Sequence, residues 1–233
     1  MIRALFVLVF LAPYTIAASV AGYGIARLVG SPALLYGLAR LGIRVALFLA
    51  GTRIVVEGRD LLGDHRNTVI VANHVSHLDA PVLLQALGVD FRAVAKKEVF
   101  YVPFFNSVLR FAGFIEVDRA DRVQATRAIA RAVDALKGGA CFLIFPEGTR
   151  SRTGALGPFK KGGFVVGMDA GSRIVPVALQ GTGELMPRGG FRIRPGTVRV
   201  RVLDPVSAES YSYGDRDALV AEVRRRMAEA LAG

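Results

Sequence analysis

No charged residue occurs between Ala4 and Ala26, and this uncharged apolar segment sets the first limit on how the chain folds. An α-helix needs about 20 apolar residues to cross the hydrocarbon core of a bilayer, so the segment is long enough to do so. A second apolar segment, Ala33 to Ala50, carries Arg40 and Arg44 on one helical face, which favours a helix that lies in the membrane interface. We therefore expect residues 1–51 to form an N-terminal hydrophobic helical hairpin that anchors the protein to a membrane.

The charges of this N-terminal segment indicate which side of a membrane it faces. Residues 1–51 contain no acidic residue and four arginines, which are Arg3, Arg27, Arg40 and Arg44. Such a composition suits anionic lipid, so we expect the protein on the cytoplasmic face of its membrane, the inner membrane if the source is bacterial. The alternative is a cleaved signal peptide, with Arg3 as its basic start and small residues near Ala17 and Ala18 at the cleavage site.

The composition of the 233 residues limits the class of protein. A chain that is 52% hydrophobic and 21% charged fits neither a disordered protein nor a polytopic membrane bundle, and it suits one main domain attached to a membrane. The net charge of +11 favours anionic partners such as phospholipid headgroups, phosphorylated substrates or nucleic acid. The single cysteine, Cys141, excludes an intramolecular disulfide, and no Cys/His spacing indicates a metal site, so we expect no metal.

Beyond Gly51, short β-branched or aromatic runs alternate with helical patterns, which is typical of an α/β domain. We expect residues 52–233 to form this domain, an α/β fold with a mixed sheet of about seven strands and flanking helices. The predicted strands are Arg53–Glu57, Thr68–Ala72, Phe91–Ala95, Phe114–Val117, Cys141–Phe145, Ile174–Leu179 and Val198–Leu203. The predicted helices are Ala80–Leu87, Val123–Leu136, Phe164–Asp169 and Asp217–Leu231, and residues 181–196 are predicted to be a loop.

Residues 73–81, Asn-His-Val-Ser-His-Leu-Asp-Ala-Pro, follow directly after a predicted strand. Ligands of open α/β sheets bind beyond the carboxyl ends of strands, so His74 lies where a site is expected. On one continuous helix His74 and Asp79 would face apart, and their side chains can meet only if the chain turns between them. Pro81 favours that turn because proline is tolerated in the first turn of a helix. Asp79 would then start a helix and reach back to the imidazole.

The same residues also permit a simpler interpretation. Ser76-His77-Leu78-Asp79 before an apolar run matches a capping box, in which Ser76 and Asp79 only satisfy free N–H groups at the start of a helix. His77 is a second candidate base, although a histidine in a loop is more often a solvated residue. On the residues alone, both interpretations stay open.

Three further blocks follow this His-x4-Asp run in order along the chain. They are Gly-Phe-Ile-Glu-Val-Asp-Arg at 113–119, Phe-Pro-Glu-Gly-Thr-Arg-Ser at 145–151 and Ile-Val-Pro-Val at 174–177. Together the ordered blocks, spread across residues 53–180, resemble those of the glycerolipid acyltransferase family, which includes the 1-acylglycerol-3-phosphate (lysophosphatidic acid) acyltransferases. The two-helix anchor is also similar to members of that family.

The resemblance implies a reaction and two catalytic residues. A fatty acyl group would pass from acyl-CoA or acyl carrier protein to the sn-2 hydroxyl of 1-acylglycerol 3-phosphate, making phosphatidic acid for phospholipid biosynthesis without a cofactor. His74 suits the base because the histidine side chain titrates near working pH, and Asp79 would hold the imidazole tautomer and stabilise the imidazolium. The substrate hydroxyl itself takes the nucleophile's place, so no serine or cysteine need be acylated.

The acceptor phosphate requires hydrogen-bond donors and positive charge. Arg150 offers a planar fork of donors, and the turn from Glu147 through Gly148 to Thr149 can present backbone N–H groups. The resemblance assigns acceptor binding to Glu147, Gly148 and Arg150, and also to Arg119. It indicates Lys96 and Lys97 as further phosphate contacts, although adjacent lysines are more often solvated.

Other functions compete with this interpretation. The same base machinery would serve an acyltransferase that acts on another lysolipid, such as a lyso-aminolipid without phosphate. A nucleic-acid-binding module is disfavoured because no aromatic and basic residues interleave on a predicted sheet face, so we expect no nucleic-acid partner. A hydrolase that uses Ser76 as its nucleophile is disfavoured because no Gly-x-Ser-x-Gly elbow surrounds that serine.

Overall fold

The structure, a computed structural model, describes residues 2–101, 105–118, 121–187, 189 and 193–233. Two long apolar helices come first, α1 (Ile2–Val29) and α2 (Ala33–Ala50). Both are long and apolar enough to cross a membrane, judged by length and composition alone, with a mean hydropathy of 2.2 over Ala4–Val29 and 1.7 over Ala33–Ala50. These helices match the helical hairpin predicted for the N-terminal segment.

Large apolar side chains on α1 face away from the rest of the protein. Exposed side chains on this helix include Leu5, Phe6, Leu8, Val9, Ile16, Val20, Ile25 and Leu28. An exposed apolar surface of this length is typical of a face that contacts lipid or another protein.

Close packing joins α1 to α2. The hydroxyl of Tyr14 donates a hydrogen bond to the carbonyl of Leu38 at 2.6 Å. Gly42 makes room for the Tyr14 ring, because a Cβ atom at that position would lie 2.3 Å from the nearest ring carbon. Helix α2 then ends at Gly51, whose left-handed backbone, with φ of 69°, caps the last turn.

Helix α2 also packs on the domain that follows it. The hydroxyl of Tyr36, a buried residue, donates a hydrogen bond to the carbonyl of Phe91 at 2.9 Å. Arg40 forms an ion pair with Asp90, so this arginine faces protein and not lipid alone. The predicted boundary near Gly51 falls where helix gives way to strand, and the hairpin on its N-terminal side is built into the core through α2.

The strands, in chain order, are β1 (Thr52–Glu57), β2 (Thr68–Ala72), β3 (Phe91–Arg92), β4 (Val94–Lys96), β5 (Ile115–Val117), β6 (Cys141–Ile144), β7 (Arg173–Gln180), β8 (Gly196–Val202) and β9 (Val206–Ser207). The later helices are α3 (Asp79–Leu87), α4 (Phe105–Phe111), α5 (Arg122–Lys137), α6 (Gly162–Asp169), α7 (Thr182–Leu185) and α8 (Arg216–Ala232).

Among the described residues, the main sheet has seven strands, ordered β1-β8-β7-β2-β6-β3, with β9 paired to β7. Strand β2 lies near the centre, parallel to both β6 and β7, whereas β8 and β9 run antiparallel to β7. The expected mixed α/β sheet is therefore confirmed.

Helices cover both faces of the main sheet. Ile70 of β2 faces the layer that contains α2 and α3, while its neighbours Val69 and Val71 face the layer that contains α5, α6 and α8. This alternation follows from the two-residue period of a strand. Because both faces are covered, all five residues of β2 are buried, which explains its unbroken apolar sequence.

The structure differs from the sequence predictions at several elements. The predicted strand Phe91–Ala95 is divided, because after Arg92 the chain leaves the main sheet and β4 pairs in parallel with β5 to form a separate two-stranded sheet. Neither the short helix α4 nor the short strand β9 was predicted. Residues 181–196, predicted to be a loop, contain the short helix α7 and the first residue of β8.

Candidate active site

Three loops meet at one edge of the sheet, where β2, β6 and β7 end. Since these strands are mutually parallel, their carboxyl ends lie at the same edge. Asn73, the first residue after β2, is buried and extends the pairing: its side-chain amide donates to the Leu179 carbonyl at 2.9 Å and accepts from the Leu179 N–H at 2.8 Å. The loop that carries His74 thus leaves the sheet at a fixed point.

His74 and Asp79 are in direct contact at this edge. The Nδ1 atom of His74 lies 2.7 Å from Oδ2 of Asp79. The chain turns between the two residues, with Asp79 starting α3 and Pro81 in its first turn, as the sequence indicates it must if the side chains are to meet. The bond engages Nδ1 and leaves Nε2 as the ring nitrogen available to a substrate proton.

The carboxylate of Asp79 is completely buried and surrounded by donors. Besides His74, its Oδ2 accepts the backbone N–H groups of Val75 and Ser76, both at 2.8 Å. Its Oδ1 accepts the hydroxyl of Thr182 at 2.6 Å. An ionised carboxylate, which only accepts, suits this arrangement. The capping and the orienting interpretations of Asp79 are therefore compatible, because one carboxylate satisfies loop N–H groups and also contacts His74.

The loop after β6 holds His74 from the other side. The backbone N–H of His74 donates to Oε1 of Glu147 at 2.9 Å, and the backbone carbonyl of His74 accepts the N–H of Ser151 at 2.7 Å. The imidazole stacks on the ring of Phe145, with centroids 4.0 Å apart and planes 14° from parallel. Backbone and ring are therefore both fixed before any substrate binds.

Glu147 uses both of its carboxylate oxygens on backbone groups. While Oε1 accepts from His74, Oε2 accepts the N–H of Gly157 at 3.1 Å, and the side chain is buried. This geometry gives Glu147 a positioning role beside His74. Direct contact between Glu147 and the acceptor, which the sequence led us to expect, stays a prediction.

A cavity of about 740 Å³ opens beside His74. Its polar lining includes His74, His77, Lys96, Thr149, Arg150 and Lys160. Its interior is apolar, with walls from β6, from α6 and from one face of α5 that presents Ala125, Ala128, Ile129 and Ala132. The cavity therefore combines a basic region with space for a hydrocarbon chain.

The turn at residues 147–150 contributes directly to the basic region. Gly148 has a positive φ of 71°, and its N–H closes the turn onto the Phe145 carbonyl at 3.0 Å. A Cβ atom at Gly148 would lie 2.9 Å from Nζ of Lys160, so glycine lets this lysine lie over the turn. Lys160 was not predicted as a site residue. The only sequence signal that could have indicated it is its position after a glycine-rich turn.

The remaining basic candidates differ in their surroundings. Lys96 lines the cavity, whereas Lys97 donates a hydrogen bond to Asp118 at 2.7 Å, and this bond raises the pKa of Lys97. Arg119 lies outside the described residues. The pKa of His77, an exposed residue on the cavity wall, is lowered by partial burial and then by Arg150 and His74.

Two alternative nucleophiles are buried. Burial raises the pKa of the Cys141 thiol to about 12, so the thiol stays protonated inside β6. Ser76 is completely buried, and its hydroxyl donates to the Met186 carbonyl at 2.8 Å. Neither residue lines the cavity, so neither side chain is placed to act as a nucleophile there.

The chain as a whole resembles known acyltransferases. A family model described as Acyltransferase matches residues 53–180. A chloroplastic 1-acyl-sn-glycerol-3-phosphate acyltransferase of Arabidopsis thaliana is 36% identical over 182 residues, which cover 77% of this chain and 49% of that protein. A Schizosaccharomyces pombe protein named as an uncharacterized acyltransferase is 30% identical over 231 residues, or 95% of this chain and 83% of that protein.

A solved structure supports the same grouping. The crystal structure of the 1-acyl-sn-glycerophosphate (LPA) acyltransferase of Thermotoga maritima matches with a TM-score of 0.83 at 26% identity, over 99% of this chain and 95% of that one. The chain spans about half the length of the first plant relatives it matches, with shares of 49%, 46% and 54%. From the family model and the relatives together, the chain belongs to the acyltransferase family.

Proposed function

We propose that the protein transfers a fatty acyl group from a thioester donor, acyl-CoA or acyl carrier protein, to the sn-2 hydroxyl of 1-acylglycerol 3-phosphate. The product is phosphatidic acid, a precursor in phospholipid biosynthesis. The observation that carries this proposal is the His74–Asp79 pair beside a cavity whose lining combines basic side chains with many apolar ones. The names of the relatives agree with it.

The chemistry follows from the geometry of the pair. His74 Nε2 takes the proton of the acceptor hydroxyl while the hydroxyl oxygen attacks the thioester carbonyl carbon. The imidazolium that forms is stabilised by the buried Asp79 carboxylate at Nδ1. The tetrahedral intermediate then collapses: the new C–O ester bond remains, the C–S bond breaks, and the leaving thiolate receives the proton from Nε2. No metal or other cofactor takes part in this scheme.

The basic lining of the cavity suits the acceptor phosphate. Arg150, Lys96 and Lys160 supply positive charge near His74, and a guanidinium binds phosphate with two parallel hydrogen bonds. The apolar interior suits a fatty acyl chain, because burying each CH₂ group contributes about 0.8 kcal/mol.

The N-terminal hairpin fits a substrate that resides in a bilayer. The exposed apolar side chains of α1 suit contact with lipid, and the arginines of this segment suit anionic headgroups on the cytoplasmic face. We therefore place the protein on a phospholipid membrane, where acceptor and product both remain.

An acceptor panel tests this function. The purified protein is given radiolabelled acyl-CoA, or the matching acyl carrier protein, with lysophosphatidic acid, monoacylglycerol, lysophosphatidylcholine, glycerol 3-phosphate or a lyso-aminolipid. We expect lysophosphatidic acid to give the highest kcat/KM, because each lost hydrogen bond to a charged group costs about 1.5–3 kcal/mol. Preference for the lyso-aminolipid would instead establish the alternative lysolipid reaction, and the rates with the two donors decide which thioester is used.

Arg150→Ala extends the panel to the phosphate contact. We expect it to raise KM for lysophosphatidic acid and to reduce the preference over monoacylglycerol, with little change in KM for the donor. Arg152→Ala is the matched control, since Arg152 is exposed and does not line the cavity. If Arg150→Ala weakens all acceptors equally, Arg150 does not hold the phosphate.

A further inference from the structure

The hydroxyl of Thr182 contacts the carboxylate of Asp79 at Oδ1, the oxygen that His74 does not contact. It donates to Oδ1 of Asp79 at 2.6 Å, and neither Thr182 nor Asp79 has any exposed surface. Thr182 starts the short helix α7 directly after β7, and it is separated from Asp79 by 103 residues in sequence.

The backbone fixes Thr182 at this place. Gly181, just before it, has a φ of 96°, and a Cβ there would lie 2.4 Å from the Thr197 carbonyl oxygen, so only glycine fits. At the other end of α7, the Met186 carbonyl accepts the hydroxyl of Ser76 at 2.8 Å. Helix α7 is therefore attached to the His74–Asp79 loop at both of its ends.

The two oxygens of Asp79 have separate partners. Oδ2 accepts from His74 and from the Val75 and Ser76 N–H groups, while Oδ1 accepts from Thr182. A carboxylate can rotate about its last side-chain bond, and a donor on Oδ1 opposes that rotation. Without the hydroxyl, Oδ1 would lie buried without this donor, and Oδ2 would be less firmly directed at Nδ1.

We propose that Thr182 is a positioning residue for acyl transfer, which acts by holding the Asp79 carboxylate so that Oδ2 orients the imidazole of His74. This inference rests on the proposed function for its reaction. Because Thr182 does not line the cavity, we expect it to affect kcat and not the binding of either substrate.

The test removes the hydroxyl and then restores it. Thr182→Val keeps the side-chain shape, and we expect kcat to fall about 10- to 100-fold, the scale of one hydrogen bond to a charged group, with KM for donor and acceptor changed less than about twofold. Thr182→Ser should recover most of kcat. Thr68→Val is the matched control, because Thr68 is equally buried but its hydroxyl donates to the Arg66 carbonyl at the opposite end of β2.

A spectroscopic measurement separates positioning from general damage. With histidine labelled by ¹⁵N, the Nδ1 proton resonance of His74 should move in Thr182→Val, return in Thr182→Ser and stay unchanged in Thr68→Val. If Thr182→Val does not fold, Thr182→Ala removes the hydroxyl without steric conflict and takes its place.

The proposal is overturned by an unchanged kcat in the hydroxyl-free variants, or by a loss that Thr182→Ser does not restore. Failure of the proposed function looks different: the wild-type protein would not use lysophosphatidic acid. In that case the same variant ratios are measured with whichever acceptor of the panel the wild type acylates.

Discussion

The buried carboxylate of Asp79 accepts hydrogen bonds from His74, Val75, Ser76 and Thr182. Burying a charged group costs free energy unless hydrogen-bond donors compensate for the lost water. These four donors are therefore needed for a carboxylate at this buried position. The same donors hold the carboxylate in place with Oδ2 directed at the imidazole, which is the arrangement that stabilises an imidazolium.

Asp79→Asn tests this arrangement at the scale of one residue. The NH₂ group of asparagine is a donor, and at this position it must face groups that themselves donate to the carboxylate of Asp79. Because this conflict leaves hydrogen bonds unmade, we expect the free energy of unfolding to fall by about 1–3 kcal/mol. We expect kcat to fall further, about 10²–10⁴-fold, because the imidazole loses its orienting acceptor. Chemical denaturation and steady-state kinetics measure the two effects. Asp64→Asn, at an exposed turn, is the control, and retention of kcat in Asp79→Asn would leave Asp79 a purely capping residue.

The sequence indicated some of these residues and not others, for a physical reason. His74 and Asp79 are five positions apart after a recognisable strand, so their pairing follows from local rules. Thr182 and Lys160 reach the site only through the fold, and no local pattern marks a threonine that will contact a residue 103 positions away. Glu147 was noticed for its charge, but its backbone partners depend on how two loops meet.

At the scale of elements, helix α5 forms one wall of the cavity. Its start is fixed by the side chain of Asp121, which accepts the N–H groups of Val123 and Gln124 at 2.9 and 3.1 Å. Small residues then occupy the cavity face, where Ala128 and Ala132 are buried. These residues and His74 line the same cavity, so this helix face limits the volume of the cavity on that side.

Ala132→Leu tests the role of that face. The larger side chain takes up cavity volume, so we expect kcat/KM to fall for long acyl donors and to change little for short ones. Ala130→Leu makes the same substitution at an exposed position of the same helix and should leave the profile unchanged. A series of acyl-CoA chain lengths provides the measurement, and an equal loss for all lengths would contradict an acyl site in this cavity.

Elements were predictable where burial imposes a pattern. Strands β2, β6 and β7 read as apolar runs because helices cover both faces of the sheet. The division of Phe91–Ala95 into β3 and β4 was not predictable, since it depends on pairing with β5 more than twenty residues later. The short helix α7 was predicted to be a loop because residues 181–196 are rich in glycine and proline, which are typical turn residues.

At the scale of the whole molecule, the important feature is that the N-terminal hairpin packs against the α/β domain. Helix α2 contributes Tyr36 and Leu47 to the same core that contains β2 and α3. The hairpin is therefore part of the same folded unit as the domain.

We expect the mature protein to keep this segment. Intact-mass measurement should show the N-terminal residues, and the protein should sediment with membranes and resist extraction by salt. The reason is the exposed apolar surface of α1, which is stable in lipid and costly in water. A mature form that begins after Ala17 or Ala18 would establish the signal-peptide interpretation and contradict the cytoplasmic assignment.

The most direct test of the account is the rate at which purified protein makes labelled phosphatidic acid from lysophosphatidic acid, compared between wild type, His74→Ala and His65→Ala. His65 is an exposed histidine before β2, away from the cavity, and serves as the matched control. We expect His74→Ala to keep the wild-type circular dichroism spectrum and to lose activity about 10²–10⁴-fold, while His65→Ala stays near wild type. Wild-type turnover in folded His74→Ala would contradict the assignment of His74 as the base.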